Sequence, residues 1–397
     1  MRMMIKRLLA VLFLPLLIQA GTLNLTVSGY LKSLVFAEKY PQQYDWQADN
    51  LLHGRLNFKY YAGQSLTGAL ECRFRQYAGA SVRKNYITAD QIKSSQGLID
   101  LDWLLYDKKS IIGYGEIDRL WIDWTAAKFQ ATLGRQRIAW GTSWVWNPTD
   151  LFNPASVLDF DYEEQPAIDG LRVQYYTGAL SKMEFAVKPD KKLDRTIAAG
   201  LLKFNRRNYD FNLLAGVRNF RWVAGLSWAG DIYKAGFRGE VTCSRNWRAA
   251  ESADYAAKWL NSYPIDFYKK VECNLVLSGD YTFRNSFYTH TELLHNTNGV
   301  THNVGVLTLQ AGELGLPTLA RWSLFQEFAY DLTPLIRTSL FGIFNPDDKS
   351  VIVLPSVTYS AATNLDLMLL GVVNDGRQLT EFGDYYNAAV FRIKWSF

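Results

Sequence analysis

The sequence predicts an all-β fold, a transmembrane antiparallel up-and-down β-barrel of about 18 strands. Three observations predict it: apolar and polar residues alternate with period two, the links alternate between short and long, and the last strand ends on an aromatic residue.

The chain opens with Arg2, Lys6 and Arg7, runs apolar from Leu8 to Ile18, and continues with the small residues Ala20 and Gly21. Basic, then apolar, then small is the order of a secretory signal peptide, so residues 1–20 are read as one and 21–397 as the barrel. The apolar run is shorter than the roughly 20 residues a spanning helix needs, which disfavours the alternative of an anchor helix. Setting those three basic residues aside leaves 40 of the 43 Lys and Arg against 38 Asp and Glu. A near-neutral chain without a block of like charge argues against a nucleic-acid partner. Aromatics make up 15% and hydrophobics 48% of the residues, yet no apolar segment after the leader is long enough to span a bilayer. Strands with one face toward lipid produce that combination. A large soluble β-sandwich or β-helix is the alternative.

Alternation is clearest in the middle of the chain. Tyr209, Phe211, Leu213, Ala215 and Val217 interleave with Asp210, Asn212, Leu214, Gly216 and Arg218. Phe220, Trp222, Ala224, Leu226 and Trp228 interleave with Arg221, Val223, Gly225 and Ser227. Phe237, Val241 and Cys243 stand against Arg238, Glu240 and Thr242, and Cys273, Leu275 and Leu277 against Glu272, Asn274 and Ser278. Leu56, Phe58 and Tyr60 alternate with Arg55, Asn57 and Lys59 near the start. One face of each strand is apolar, and the other, Ser227 included, is expected to meet water.

The links give an independent test. Short ones fall near 62–65, 125–128, 177–180, 205–208, 230–232, 284–286, 331–334 and 361–364. Long or variable ones fall at 43–50, 79–115, 141–166, 247–268, 296–319 and 374–384. Short periplasmic turns and longer extracellular loops give this rhythm in outer-membrane barrels. The Ala-rich segment from Ala249 to Leu260 has helical character and is placed in an extracellular loop. The last strand sets Phe391, Ile393, Trp395 and Phe397 on one face against Arg392, Lys394 and Ser396. Such a terminus is the signal read by the outer-membrane assembly machinery, expected to engage Phe397. Location in the outer membrane of a Gram-negative bacterium follows, with lipid and lipopolysaccharide around the barrel.

The three cysteines, Cys72, Cys243 and Cys273, all hold the apolar parity of their strands. Cys243 and Cys273 fall on strands expected to be neighbours, an arrangement that permits a cross-strand disulfide.

The most distinctive stretch begins at Leu133. Gly134-Arg135-Gln136 is followed by Trp140-Gly141, Asn147-Pro148-Thr149-Asp150, Asn153-Pro154 and Asp169-Gly170-Leu171-Arg172. This resembles the Gly-Arg-Gln strand, aromatic-Gly turn and returning Asp-Gly-x-Arg strand of alginate-export-type outer-membrane porins. It is closer to a related porin group that carries Asn-Pro-x-Asp between the two strands. The resemblance covers about 40 residues and implies a barrel narrowed by infolded loops and lined with arginines. The intervening segment departs from the alginate-export pattern. Leu133, Arg135 and Arg137 share one parity, so either a bulge at Gly134 switches it or the arginines lie above the lipid band.

Inward parity and the motif name the candidate pore-lining residues: Arg55, Lys59, Arg73, Arg75, Arg135, Arg137, Arg172, Arg218, Arg221 and Arg238. They read either as a salt-bridged wall or as a basic track that attracts anions. The loop 141–166 is the candidate constriction, through Trp144, Trp146, Asp150, Asp159, Asp161, Glu163 and Glu164. Its aromatics need cover, which folding into the lumen supplies, and they suit the stacking of sugar rings. The function expected is a porin-like channel for small or polymeric solutes of anionic character, with saccharides or polyuronates among the candidates. The alternative is a barrel sheath around another protein, such as a periplasmic cytochrome in an electron conduit. No C-x-x-C-H haem site is present, and no cofactor or metal is expected. An enzyme is not expected either: His290 and Glu292 share an inward face without a nucleophile motif.

Overall fold

The computed structural model describes residues 24–40, 45–92, 97–153, 165–219, 221–246, 271–305 and 318–397. The expected signal peptide, the segment Ala249–Leu260 and the acidic residues Asp159, Asp161, Glu163 and Glu164 lie outside the described residues.

Strands β1 (Leu25–Lys39), β2 (Gln47–Ala62) and β3 (Leu66–Gly79) lead to two helical turns, α1 (Ala80–Arg83) and α2 (Ala89–Ile92). They are followed by β4 (Asp102–Lys108), β5 (Ile111–Ala126), β6 (Phe129–Gln136), β7 (Ile168–Gly178) and β8 (Ser181–Lys188). Next come β9 (Ile197–Arg206), β10 (Tyr209–Arg218), β11 (Arg221–Ile232), β12 (Ala235–Asn246), β13 (Glu272–Thr282) and β14 (Phe287–Asn296). The chain closes with β15 (Trp322–Thr333), β16 (Ile336–Asn345), β17 (Ser350–Ala362), β18 (Leu365–Asp375) and β19 (Asn387–Ser396). All belong to one antiparallel sheet, which closes where β19 pairs with β1 from Tyr30–Ser396 to Lys39–Asn387. The Phe397 backbone exchanges two hydrogen bonds with Gly29, each 2.9 Å. A side chain at Gly29 would strike the Phe397 ring, so the terminal aromatic packs where glycine leaves space.

Among the described residues nineteen strands make an 18-strand wall, because two of them share one position. β3 pairs with β5 along nearly its whole length. On the other edge of β5, β6 pairs only from Ala126–Phe129 to Leu120–Arg135, then leaves the wall after Gln136. β4 takes the vacated edge, from Asp102–Glu116 to Lys108–Ile111. The sequence alone puts β4 inside a long loop. Its register slips between Leu104 and Tyr106, which breaks the alternation that would have revealed it. The Trp103 and Tyr106 rings lie over Gly115 and Gly113, whose missing side chains leave room for them.

Outward parity holds where it was expected. Trp222 is 61% exposed and Leu133 64%, as befits residues facing lipid. Cys243 and Cys273 pair across β12 and β13 and are joined by a disulfide, with Cα atoms 4.1 Å apart, while Cys72 is free. The inward face departs from expectation in one respect. Ser227 points inward but meets no water: it is fully buried and accepts a hydrogen bond from Asn212 Nδ2 at 3.0 Å. Leu34, Val276 and Leu294 are also inward and 0% exposed. Much of the lumen is therefore packed, and what packs it is the chain's own loop.

The parity conflict at Gly134 is resolved by its backbone. Gly134 adopts φ +120°, and a Cβ there would fall 2.2 Å from the Leu120 carbonyl oxygen, so glycine is required. Leu133 faces out and Arg135 faces in, while the register to β5 and β7 runs unbroken. The switch thus arises from one residue's conformation, not from an inserted residue. Among the described residues no helix is long and apolar enough to cross a membrane.

Candidate pore and its constriction

Where β6 leaves the wall, Arg135 clamps the base of the departing loop. Its guanidinium donates to Asp169 at 2.7 and 3.1 Å and to the carbonyls of Ile99 and Ile117. The loop then crosses the lumen. Trp140 Nε1 donates to Glu184 of β8 at 2.6 Å, and the same carboxylate accepts from Arg172 at 2.7 and 3.0 Å. Glu240 of β12, fully buried, accepts from the amides of Thr142, Ser143 and Thr149 and from both threonine hydroxyls. Glu292 of β14 accepts from the amides of Trp144, Val145 and Trp146, the last at 2.6 Å. Three wall carboxylates therefore hold one loop, from its own side of the barrel to the far side. Buried amides require partners, and these acids supply them with charge-assisted bonds.

Apolar contacts complete the seat. Trp140, Leu151 and Phe152 pack with Ile138 on Ile168, Ile197, Leu201 and Leu214. Trp146 packs on the opposite cluster, with Leu34, Val276, Leu294, Ile352 and Phe382, its ring 6.5 Å from Phe325. Asn153 fixes the loop's shape by accepting from the Ile138 amide at 3.0 Å and donating to the Pro166 carbonyl. A Cβ at Gly141 would collide with Asn147, so the Trp-Gly turn also needs its glycine. Most residues of the motif from Gly134 to Arg172 thus build the departure and seating of the loop.

Asp150 sits within this seat, 5% exposed, with one carboxylate oxygen lacking a partner. Burial pushes its pKa up to about 7; Arg137 pulls it down, and Glu240 pushes it further up. Arg137 itself is exposed just beyond β6.

The other candidate cations divide into groups. On the arc of β19, β1, β2 and β3, cross-strand partners share a face, and Lys394, Lys32, His53 and Arg75 stand in one row. The adjacent row sets Tyr30 beside Arg55 and Arg73. A bulge in β5 skips Asp118 in the pairing with β3 and turns both Asp118 and Arg119 inward. Arg55 bonds Asp118 at 2.7 Å and also Glu71; Arg73 bonds Glu116, with Arg75 3.5 Å from the same acid. Lysines and arginines outnumber carboxylates in these middle rows. Lys59 continues the same face toward the short-turn rim.

Arg172, Arg218, Arg221 and Arg238 do not join that arc. Arg172 serves the loop through Glu184, and Arg221 pairs with Glu272 at 2.8 Å, with the buried Arg218 acting on the same acid. Arg238 pairs with Asp280 beneath the loop. Within this arc Lys32 is fully buried and His53, Arg55 and Arg73 nearly so, which leaves Arg75 and Lys394 as its part-exposed cations. Sequence reasoning missed Lys32 as an inward residue, although its parity with Tyr30 and Leu34 carries that signal. Ser278 lies 2.9 Å from His290 Nε2, with Glu327 4.0 Å from Nδ1, which invites comparison with a hydrolase. Ser278 is only 2% exposed, however, so no substrate carbonyl reaches it.

A closed 18-strand antiparallel wall has clear structural counterparts. The fold is that of outer-membrane porins. OccK5 (OpdH) of Pseudomonas aeruginosa superposes with a TM-score of 0.58 at 8% identity, over 95% of this chain and 99% of that one. Acinetobacter baumannii OccAB3 gives 0.58 at 10% identity, over 94% and 99%. Pseudomonas aeruginosa OccK8 (OprE) gives 0.57 at 9%, over 95% and 99%. The sequence itself matches no protein-family model and no curated protein. These structural neighbours are porins of the Occ/OprD type, which supports a porin relation; they do not bear on the alginate-export type that the motif resembles.

Proposed function

We propose that the chain forms a diffusion channel of the bacterial outer membrane that favours anionic solutes. The observation that carries this reading is the row Lys394, Lys32, His53 and Arg75 beside Arg55 and Arg73, with Lys394 and Arg75 part-exposed and the other four buried in the inner wall of a lumen narrowed by its own loop. A low-dielectric wall focuses the field of such a row, so a modest excess of positive charge biases which ions enter. The sheath alternative needs the lumen for a second protein. The loop held by Glu184, Glu240 and Glu292 already occupies much of that space, which speaks against it.

The test is the reversal potential of the purified protein in a planar bilayer under a KCl gradient. Chloride is expected to permeate in preference to potassium, and the preference to grow at low salt, where screening weakens. Arg75→Glu with Lys394→Glu is expected to lower the ratio of anion to cation permeability several-fold. A wild-type channel without anion preference, or one whose ratio ignores both reversals, sinks the reading. Whether saccharides or polyuronates pass is a finer question. The motif bears on it little, since its residues build the loop seat.

A further inference from the structure

Among the loop's tryptophans, Trp144 stands apart. Trp140 and Trp146 are 3% and 2% exposed, but Trp144 is 64% exposed although its amide is tied to Glu292. Its indole therefore stands in the channel water. The ring centre lies 5.1 Å from the guanidinium carbon of Arg238, an inward residue of β12 that is bonded to Asp280 of β13. Gly236 faces Asp280, and a Cβ there would lie 2.4 Å from the carboxylate, so glycine makes room for that acid. Asp280 is in register with His290, and Tyr288 follows on the same inward face, among the charges of Asp280, Glu327 and Arg238. The patch thus offers an indole with the Arg238 guanidinium over one face and its remaining surface open, and with the Asp280 carboxylate and the Tyr288 phenol neighbouring that guanidinium.

We propose that Trp144, Arg238, Asp280 and Tyr288 form a subsite for a pyranose ring, which makes saccharides a solute class of this channel. The inference rests on the channel reading above and names its substrate class. A pyranose has an apolar C–H face and a rim of hydroxyls. The first matches an exposed indole, and the second matches planar charged groups that donate and accept at its edge. A small inorganic anion gains nothing from the indole face, which is the negative side of the ring quadrupole. The contact with the Arg238 guanidinium also holds the indole in one orientation, so the plate is formed before the sugar arrives.

The test uses the full chain in a planar bilayer, with maltohexaose as probe. Being neutral, this sugar does not draw on the anion preference. Wild-type channels are expected to show resolved current blocks at millimolar sugar. Trp144→Ala is expected to shorten the mean block about tenfold, and Trp144→Phe to keep it within about threefold. Asp280→Asn, which touches no anchor of the loop, is expected to shorten it as well, and the lipid-facing Trp222→Phe to leave it unchanged. Conductance without block, or blocks of equal length in wild type and Trp144→Ala, overturns the subsite alone. Absence of conductance in the wild type overturns the channel reading and the subsite with it.

Discussion

The amide of Trp146 donates to the carboxylate of Glu292 at 2.6 Å, although 146 residues separate them in the chain. This bond joins a loop that leaves the wall at β6 to a strand nearly opposite in the barrel. The width of the passage therefore depends on a few wall acids.

Glu240 is the anchor with the most partners, accepting from three amides and two hydroxyls. Hydrogen bonds to a charged group are worth about 1.5–3 kcal/mol each, and losing the acceptor strands every donor. Glu240→Ala is expected to unseat the loop, raising single-channel conductance and open-channel noise. Glu240→Gln keeps one acceptor oxygen and is expected to fall between the two. Equal conductance in all three would mean that the apolar seat alone holds the loop.

The acids of two loops should make the protein sensitive to pH near neutrality. Burial raises Asp150 to about 7, and burial likewise raises Glu381, which accepts from Thr318 and Asn345, to about 7. A folded-state pKa above the unfolded value means that the fold favours the protonated acid. Their contribution is thus complete below about pH 4 and is lost as pH rises through about 7. Thermal unfolding is expected at a higher temperature at pH 5 than at pH 8, with the difference reduced in Asp150→Asn and Glu381→Gln. An unchanged pH dependence in both variants would assign it to other groups.

The lipid face should tolerate charge poorly. Leu226 sits midway along β11 and faces outward, so Leu226→Arg is expected to cost about 2–4 kcal/mol in a bilayer, measured by denaturant unfolding. Ser227→Ala, which removes one buried hydrogen bond on the lumen side, is expected to cost about 1 kcal/mol. The reverse order would place the two faces wrongly.

Thiol counting tests the bond that joins β12 to β13. Alkylation of the denatured protein without reductant is expected to add one label, at Cys72, and three after reduction. Three labels without reductant would show that Cys243 and Cys273 remain thiols.

Much of this architecture was legible in the sequence, for identifiable reasons. Period-two alternation makes Trp222 and Leu226 outward and Glu240 inward without any knowledge of contacts. The parity conflict of Leu133 and Arg135 pointed to Gly134, where the backbone does turn. The roles of Glu184, Glu240 and Glu292 were not legible. Parity places a carboxylate in the lumen, but their partners are largely backbone amides of a loop far away in sequence, and every residue type carries an amide. The packed inner face was hidden for the same reason: Ser227 looks like a residue meeting water, yet it is fully buried and bonded to Asn212. β4 escaped because its alternation is broken by the slip beside Tyr106.

That shared position in the wall has a consequence for anyone who would redesign the passage. β4 and β6 are stacked end to end on one edge of β5, and β6 stops only because its chain turns inward at Gln136. A variant with most of residues 137–167 excised would let β6 grow upward along that edge. It would then contend with β4 for the same backbone donors and acceptors, from Ile111 to Glu116. Such a barrel would gain two rival seams in place of a wider bore, and a graft that carries the loop must carry the β4–β5 hairpin too.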